Sequence, residues 1–101
     1  MSGVSYPYTY AYETVAASQT AQVLGGTGAI GDYLHRIVVT VSTALTGTVS
    51  ILDGSTSIAL VPANTPVGVY SLELNMRSAT GAWKVTTGAG ASVIGVGIFS
   101  A

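Results

Sequence analysis

"VYSLELNM", residues 69 to 76, alternates without a break: Tyr70, Leu72, Leu74 and Met76 fall on one side of an extended chain, and Ser71, Glu73 and Asn75 on the other. Successive side chains of a pleated strand point to opposite faces, so a period of two marks a half-buried β-strand. A strand with one apolar and one wet face belongs to a sheet that covers a core on one side only, the usual situation in antiparallel β-proteins.

The same pattern continues in both directions from this stretch, with no 3.6-residue periodicity longer than one turn. Upstream, Pro62 and Pro66 in "PANTPVG" interrupt any ladder and predict a loop, preceded by a strand at "SIALV". Asp53-Gly54 tolerates the positive φ angles of a tight hairpin and predicts a turn after "TVSIL", whose Val49 and Ile51 point inward. Before the "ALTG" turn, "DYLHRIVVTVST" is expected to set Tyr33, His35, Ile37, Val39 and Val41 on one face. Downstream, "AWKVTT" sends Trp83 and Val85 one way and Lys84 and Thr86 the other.

The last strand is apolar on both faces, with Val93 and Phe99 on one and Ile94, Val96 and Ile98 on the other, which suits a central strand or one covered by another subunit. Gly95 and Gly97 share the face of Val93, and either mark a bend or leave a trough for the ring of Trp83 or a tyrosine. With a further strand near "TAQVL", the spacing predicts an all-β chain: an antiparallel β-sandwich or jelly roll of about seven to eight strands. A Tyr-rich extended N-terminal arm, residues 1–18, is expected to precede a β-sandwich domain at 19–101.

Charge narrows the function classes. Only 7% of the 101 residues are Asp, Glu, Lys or Arg, against about 25% in an ordinary domain. Three basic residues and a net charge of -1 provide no footprint for a phosphate backbone or an anionic lipid surface, so neither nucleic acid nor membrane is an expected partner. The longest apolar stretch falls short of the ~20 residues of a membrane helix. No basic and apolar leader opens the chain, which predicts that the cell that makes the protein keeps it inside, at least at first. Cysteine is absent, so the fold rests on packing.

Chemistry-bearing motifs are weak. "GTGAIG", residues 26 to 31, matches a dinucleotide-binding pattern, but that chemistry needs a helix to open at the last glycine, and a strand-like run follows instead. His35 is the only histidine and has no evident catalytic partner, and Glu13, Asp32, Asp53 and Glu73 are dispersed. No enzyme activity, cofactor or metal is expected. Across neighbouring strands Glu73, Arg77 and Lys84 are candidates to pair, and the seven charges are expected to mark where water remains.

The first segment is different. In "SYPYTYAYE", Tyr6, Tyr8, Tyr10 and Tyr12 recur at every second position and share one face of an extended chain, while Pro7 confines the segment to a sheet edge or a free arm. Tyrosine buries a large rigid area and keeps a hydroxyl for the wet margin of an interface. Three uses follow: a strap on another subunit, a stacking platform for sugar rings, or pairing with the domain's own sheet edge.

"GDYLHRIVV", "GTVSILDG" and "RSATGAWKVTTGAGASVIGVGIFSA", within residues 31–101, resemble small virion-associated β-proteins of tailed bacteriophages, in which G-D-Y-L, a D-G hairpin and a G-A-W-x-V-T-T-G ending recur. The resemblance implies a capsid decoration (cement) protein, a β-sandwich often trimeric that braces major capsid subunits in the virion, and it carries no catalytic residues. On that expectation the assembly surface comprises Tyr6, Pro7, Tyr8, Tyr10, Tyr12, Trp83, Ile94, Val96, Ile98 and Phe99. A tail-fibre or carbohydrate-binding module and a head-to-tail connector are the alternatives.

Overall fold

The computed structural model describes residues 10–100. Eight strands form: β1 (Ala11–Val15), β2 (Gln22–Val23), β3 (Tyr33–Val41), β4 (Val49–Asp53), β5 (Thr56–Val61), β6 (Gly68–Arg77), β7 (Trp83–Thr86) and β8 (Ala91–Ile98). They make two four-stranded antiparallel sheets, ordered β1-β8-β3-β6 and β2-β7-β4-β5. Partners β1 and β8, β2 and β7, β3 and β6, and β4 and β5 nest inside one another, as if one long hairpin had been rolled up. That nesting is the connectivity of the eight-stranded jelly roll.

The tip of the long hairpin is the turn predicted at Asp53-Gly54. Asp53 pairs with Thr56 across it, and Gly54 has φ 61°, the left-handed region that a side chain adopts only with strain. Asp53 also faces the loop between β6 and β7, where its carboxylate accepts the successive amides of Ala79 (2.9 Å), Thr80 (3.0 Å) and Gly81 (3.3 Å). The Thr80 amide above all, then those of Ala79 and Gly81 with the Thr80 hydroxyl, hold this carboxyl below its usual range, against a smaller loss of water that pushes it up. A depressed folded pKa gives stability that is present above the unfolded value, about 3.9, and lost as pH falls through the folded one. Asp53→Asn is therefore expected to lower the melting temperature by a few degrees at pH 7. The gap should close as the pH is taken below about 4, read by thermal unfolding of both proteins across the acid range.

Between the sheets lies a core of Val15, Leu24, Leu34, Ile37, Val39, Val41, Leu45, Val49, Ile51, Val85 and Val93 around Trp83. Trp83 was expected at an assembly surface and is instead 2% exposed, with its indole Nε1–H donating to the Asp32 carbonyl at 2.9 Å. An inward position on β7, next to β2 and β4, leaves so large a ring nowhere else to go. Phe99, also expected at the surface, turns in to pack against the core, its ring over Gly97. The trough over Gly95 and Gly97 is thus filled by Leu24 and Phe99, not by Trp83 or a tyrosine.

Asp32 corrects the expectation that every charge marks water. It is buried, and its carboxylate accepts the Ala29 amide (3.0 Å), the Ser100 amide (3.0 Å) and the Ser100 hydroxyl (2.7 Å). A buried carboxylate is tolerated when its oxygens are filled by donors. Here it ties the end of the chain to the turn that starts β3.

Candidate functional site

Strand register arranges the outward face of the β1-β8-β3-β6 sheet in cross-strand rows. Tyr33 lies opposite Ile98 on one side and Arg77 on the other, and Tyr10, just before β1, extends this row. The next row runs Tyr12, Val96, Arg36 and Glu73, and the third Thr14, Ile94, Val38 and Ser71. Five residues expected at an assembly surface, Tyr10, Tyr12, Ile94, Val96 and Ile98, therefore share one sheet face. Tyr12 is 72% exposed, Ile98 45%, Tyr10 39% and Ile94 38%. Tyr6, Pro7 and Tyr8 lie outside the described residues.

Residues 11–15, expected in an arm, pair with β8 along the sheet edge. The alternation of this strand turns Val15 into the core, where it is fully buried, and Tyr12 outward. Of the tyrosine run, Tyr10 and Tyr12 therefore stand on one sheet face.

A bulge gives the first row its character. From Leu34 to Ile37, β3 takes three steps where β8 takes two, from Gly97 to Gly95, and β6 takes four, from Met76 to Leu72. The extra residue reverses the alternation of β3, so Leu34 is buried while Tyr33 and His35 face outward. This corrects the expectation that Tyr33 and His35 share the face of Ile37, Val39 and Val41. On β6 the irregularity is met by Asn75, whose φ of 50° is one that Asn accepts more readily than most residues.

The polar groups freed by the bulge converge. Tyr33 donates its hydroxyl to Asn75 Oδ1 at 2.7 Å, and His35 Nδ1 lies 2.9 Å from the same oxygen, donating in the tautomer that carries its proton there. Tyr10 stacks on His35 with ring centroids 4.6 Å apart and planes 17° from parallel, and lies tilted 5.9 Å from Tyr33. Reduced access of water, then the Tyr10 phenol and the Glu73 carboxylate, push the Tyr33 hydroxyl above its usual range, so it stays a neutral donor. Tyr10, Tyr33, Arg77 and Ile98 line an open cleft of about 330 Å³.

Arg36 pairs with Glu73 at 3.3 Å, both well exposed, and at ~0–1 kcal/mol such a pair sets register more than stability. Glu73 was expected to pair with Arg77 or Lys84; register puts Arg36 opposite it instead. Sequence reading missed Tyr33, Asn75 and Arg77 as site residues. The available signal was the adjacent polar pair His35-Arg36, which breaks the alternation just where the bulge falls.

The amides of Gly26, Thr27 and Gly28 all point at the carbonyl of Ser100, at 3.1, 3.4 and 3.1 Å. Among the described residues no group of three His, Asp or Glu side chains gathers into a metal site.

No protein-family model matches the chain, and no curated protein is significantly similar to it. Among solved structures, the Tobacco streak virus coat protein is similar over 95% of this chain and 90% of that one, at 11% identity and a TM-score of 0.33. A likeness of that level is too slight to assign a function.

Proposed function

We propose that this protein is a structural subunit of a virion, a capsid decoration or cement protein that docks through the outward face of the β1-β8-β3-β6 sheet. The observation that carries the reading is the gathering of Tyr10, Tyr12, Ile94, Val96 and Ile98 on that one face, four of them exposed and Val96 half-buried. Arg36 and Glu73 are the charges within the middle row, and they neutralise each other. Large exposed apolar areas on small proteins mark interaction surfaces. Each subunit that covers the face adds ~25 cal/mol per Å² of apolar burial, and repetition around a symmetry axis makes the sum hard to undo. The partners in this reading are further copies of the chain, as a trimer, and the major capsid protein; nucleic acid, membrane, cofactor and catalysis have no part in it.

Particles assembled without the protein should lose resistance to heat and low salt, and purified protein added back should restore it. The pair Ile94→Asp and Val96→Asp should abolish restoration while leaving the melting temperature of the free subunit within a few degrees, because both side chains point away from the core. Particles that are equally robust with and without the protein would sink the reading.

A further inference from the structure

The geometry points to the cleft formed by Tyr10, Tyr33, Arg77 and Ile98 as a binding site for an acidic saccharide, a pyranose ring carrying a carboxylate. This activity goes beyond the docking reading and belongs to a subunit whose sheet face is open, since a ligand and a neighbour packed on the same row exclude each other.

Three features of the cleft select that ligand class. Its rings provide the platform: Tyr10 is backed by the imidazole of His35, and Tyr33 is inclined beside it, an arrangement suited to the apolar face of a sugar ring. The second feature is the Tyr33 hydroxyl, which lines the cleft and, while donating to Asn75 Oδ1, keeps oxygen lone pairs to accept from a sugar hydroxyl.

The third feature is charge. Arg77 lines the cleft and makes no ion pair among the described residues. The acids nearest to hand are committed elsewhere: Glu73 to Arg36, Asp32 to Ser100 and Ala29, Asp53 to the β6–β7 loop, and Glu13 to the Gly25 amide and the Gln22 side chain. A guanidinium beside aromatic rings, with no carboxylate paired to it among the described residues, matches a planar carboxylate that it can grip through two N–H groups.

A peptide carboxylate is the competing occupant, and the placement disfavours it. Sheets take extended peptides along an edge, where unpaired backbone groups continue the ladder. This cleft runs across the strands on the face of the sheet, where the backbone groups of β8 and β3 are already paired. Its volume of about 330 Å³ lies at the lower end of small-molecule sites, about 300–1,000 Å³, and suits one or two sugar rings.

The test is an NMR titration of the full-length protein with tri-galacturonate, with maltotriose as a neutral trisaccharide and with hexaglutamate as an acidic peptide. Saturable shifts in the amides of Tyr10, Tyr33, Arg77 and Ile98 are expected with tri-galacturonate, and binding of the other two at least about tenfold weaker. Arg77→Gln should weaken tri-galacturonate by about tenfold or more and leave maltotriose unchanged, while Lys84→Gln, an equal charge change on the other sheet, should leave both unchanged. Tyr10→Ala should weaken both sugars. Hexaglutamate binding as tightly as tri-galacturonate, no saturable shift with any sugar, or equal losses in the Arg77 and Lys84 variants would each overturn the proposal. Loss of particle bracing by the docking-face variants, with sugar shifts intact, would leave the two readings separately decided.

Discussion

Trp83→Ala is expected to lower the unfolding free energy by about 3–5 kcal/mol, a large share of the ~5–15 kcal/mol that holds a domain of this size together. The indole is 2% exposed and sits on β7, whose neighbours in the sheet are β2 and β4, so truncation opens a hole that strands paired on both sides cannot close. Its hydrogen bond adds less. The Asp32 carbonyl that receives Nε1 also accepts the Ser78 amide at 3.0 Å, and therefore keeps a donor when the ring is gone. Trp83→Phe, which restores much of the volume without the N–H, should for that reason recover more than half of the loss. Urea unfolding of the three proteins separates cavity from hydrogen bond. A loss below ~1 kcal/mol for the alanine variant would place the ring at the surface, as a residue of an assembly interface would be.

That contrast marks how far the sequence reaches. Local pattern was enough for the strands: the alternation of β6, the turn at Asp53-Gly54 and the shared face of Trp83 and Val85 depend on neighbours within a few residues, and all appear in the fold. Parity had also put Phe99 on the face of Val93, opposite Ile94, Val96 and Ile98, but did not say which face is inward, and in the structure the face of Val93 is the one turned to the core. The rolling of the hairpin was not legible, because β1 meets β8 across nearly the whole chain and no local signal states that pairing. Nor was the first row of the face. One extra residue in β3 exchanges Leu34 with Tyr33, so a strict period of two sends the phenol into the core and the leucine into water. The candidate site formed where the simple rule failed, as is common for bulges, which re-aim side chains at functional positions.

Gly97→Val should be the most damaging change in β8, at about 3 kcal/mol or more, above the usual cost of overpacking. A Cβ at this position would overlap the backbone carbonyl oxygen of Tyr33 and come within 2.9 Å of the Phe99 ring and 3.1 Å of Leu34 Cα. A flexible side chain could move aside, but two of these three neighbours belong to the backbone of β3, to which β8 is hydrogen-bonded. Relief therefore requires the two strands to separate at the bulge. The residue that would be displaced is Tyr33, whose carbonyl meets the inner face at Gly97 while its phenol stands on the outer face and donates to Asn75. Loss of stability and loss of the Tyr10–Tyr33–His35 cluster should consequently appear together, the first in urea unfolding and the second in the aromatic NMR signals of the protein that remains folded. Gly47→Ala supplies the comparison, since a Cβ there meets nothing within 4 Å, and its cost should stay within about 0.5 kcal/mol. If Gly97→Val were equally mild, β8 and β3 would have to lie farther apart than the pairing of Gly97 with Leu34 allows, and the row of Tyr10, Ile98, Tyr33 and Arg77 would lose the geometry that makes it a cleft.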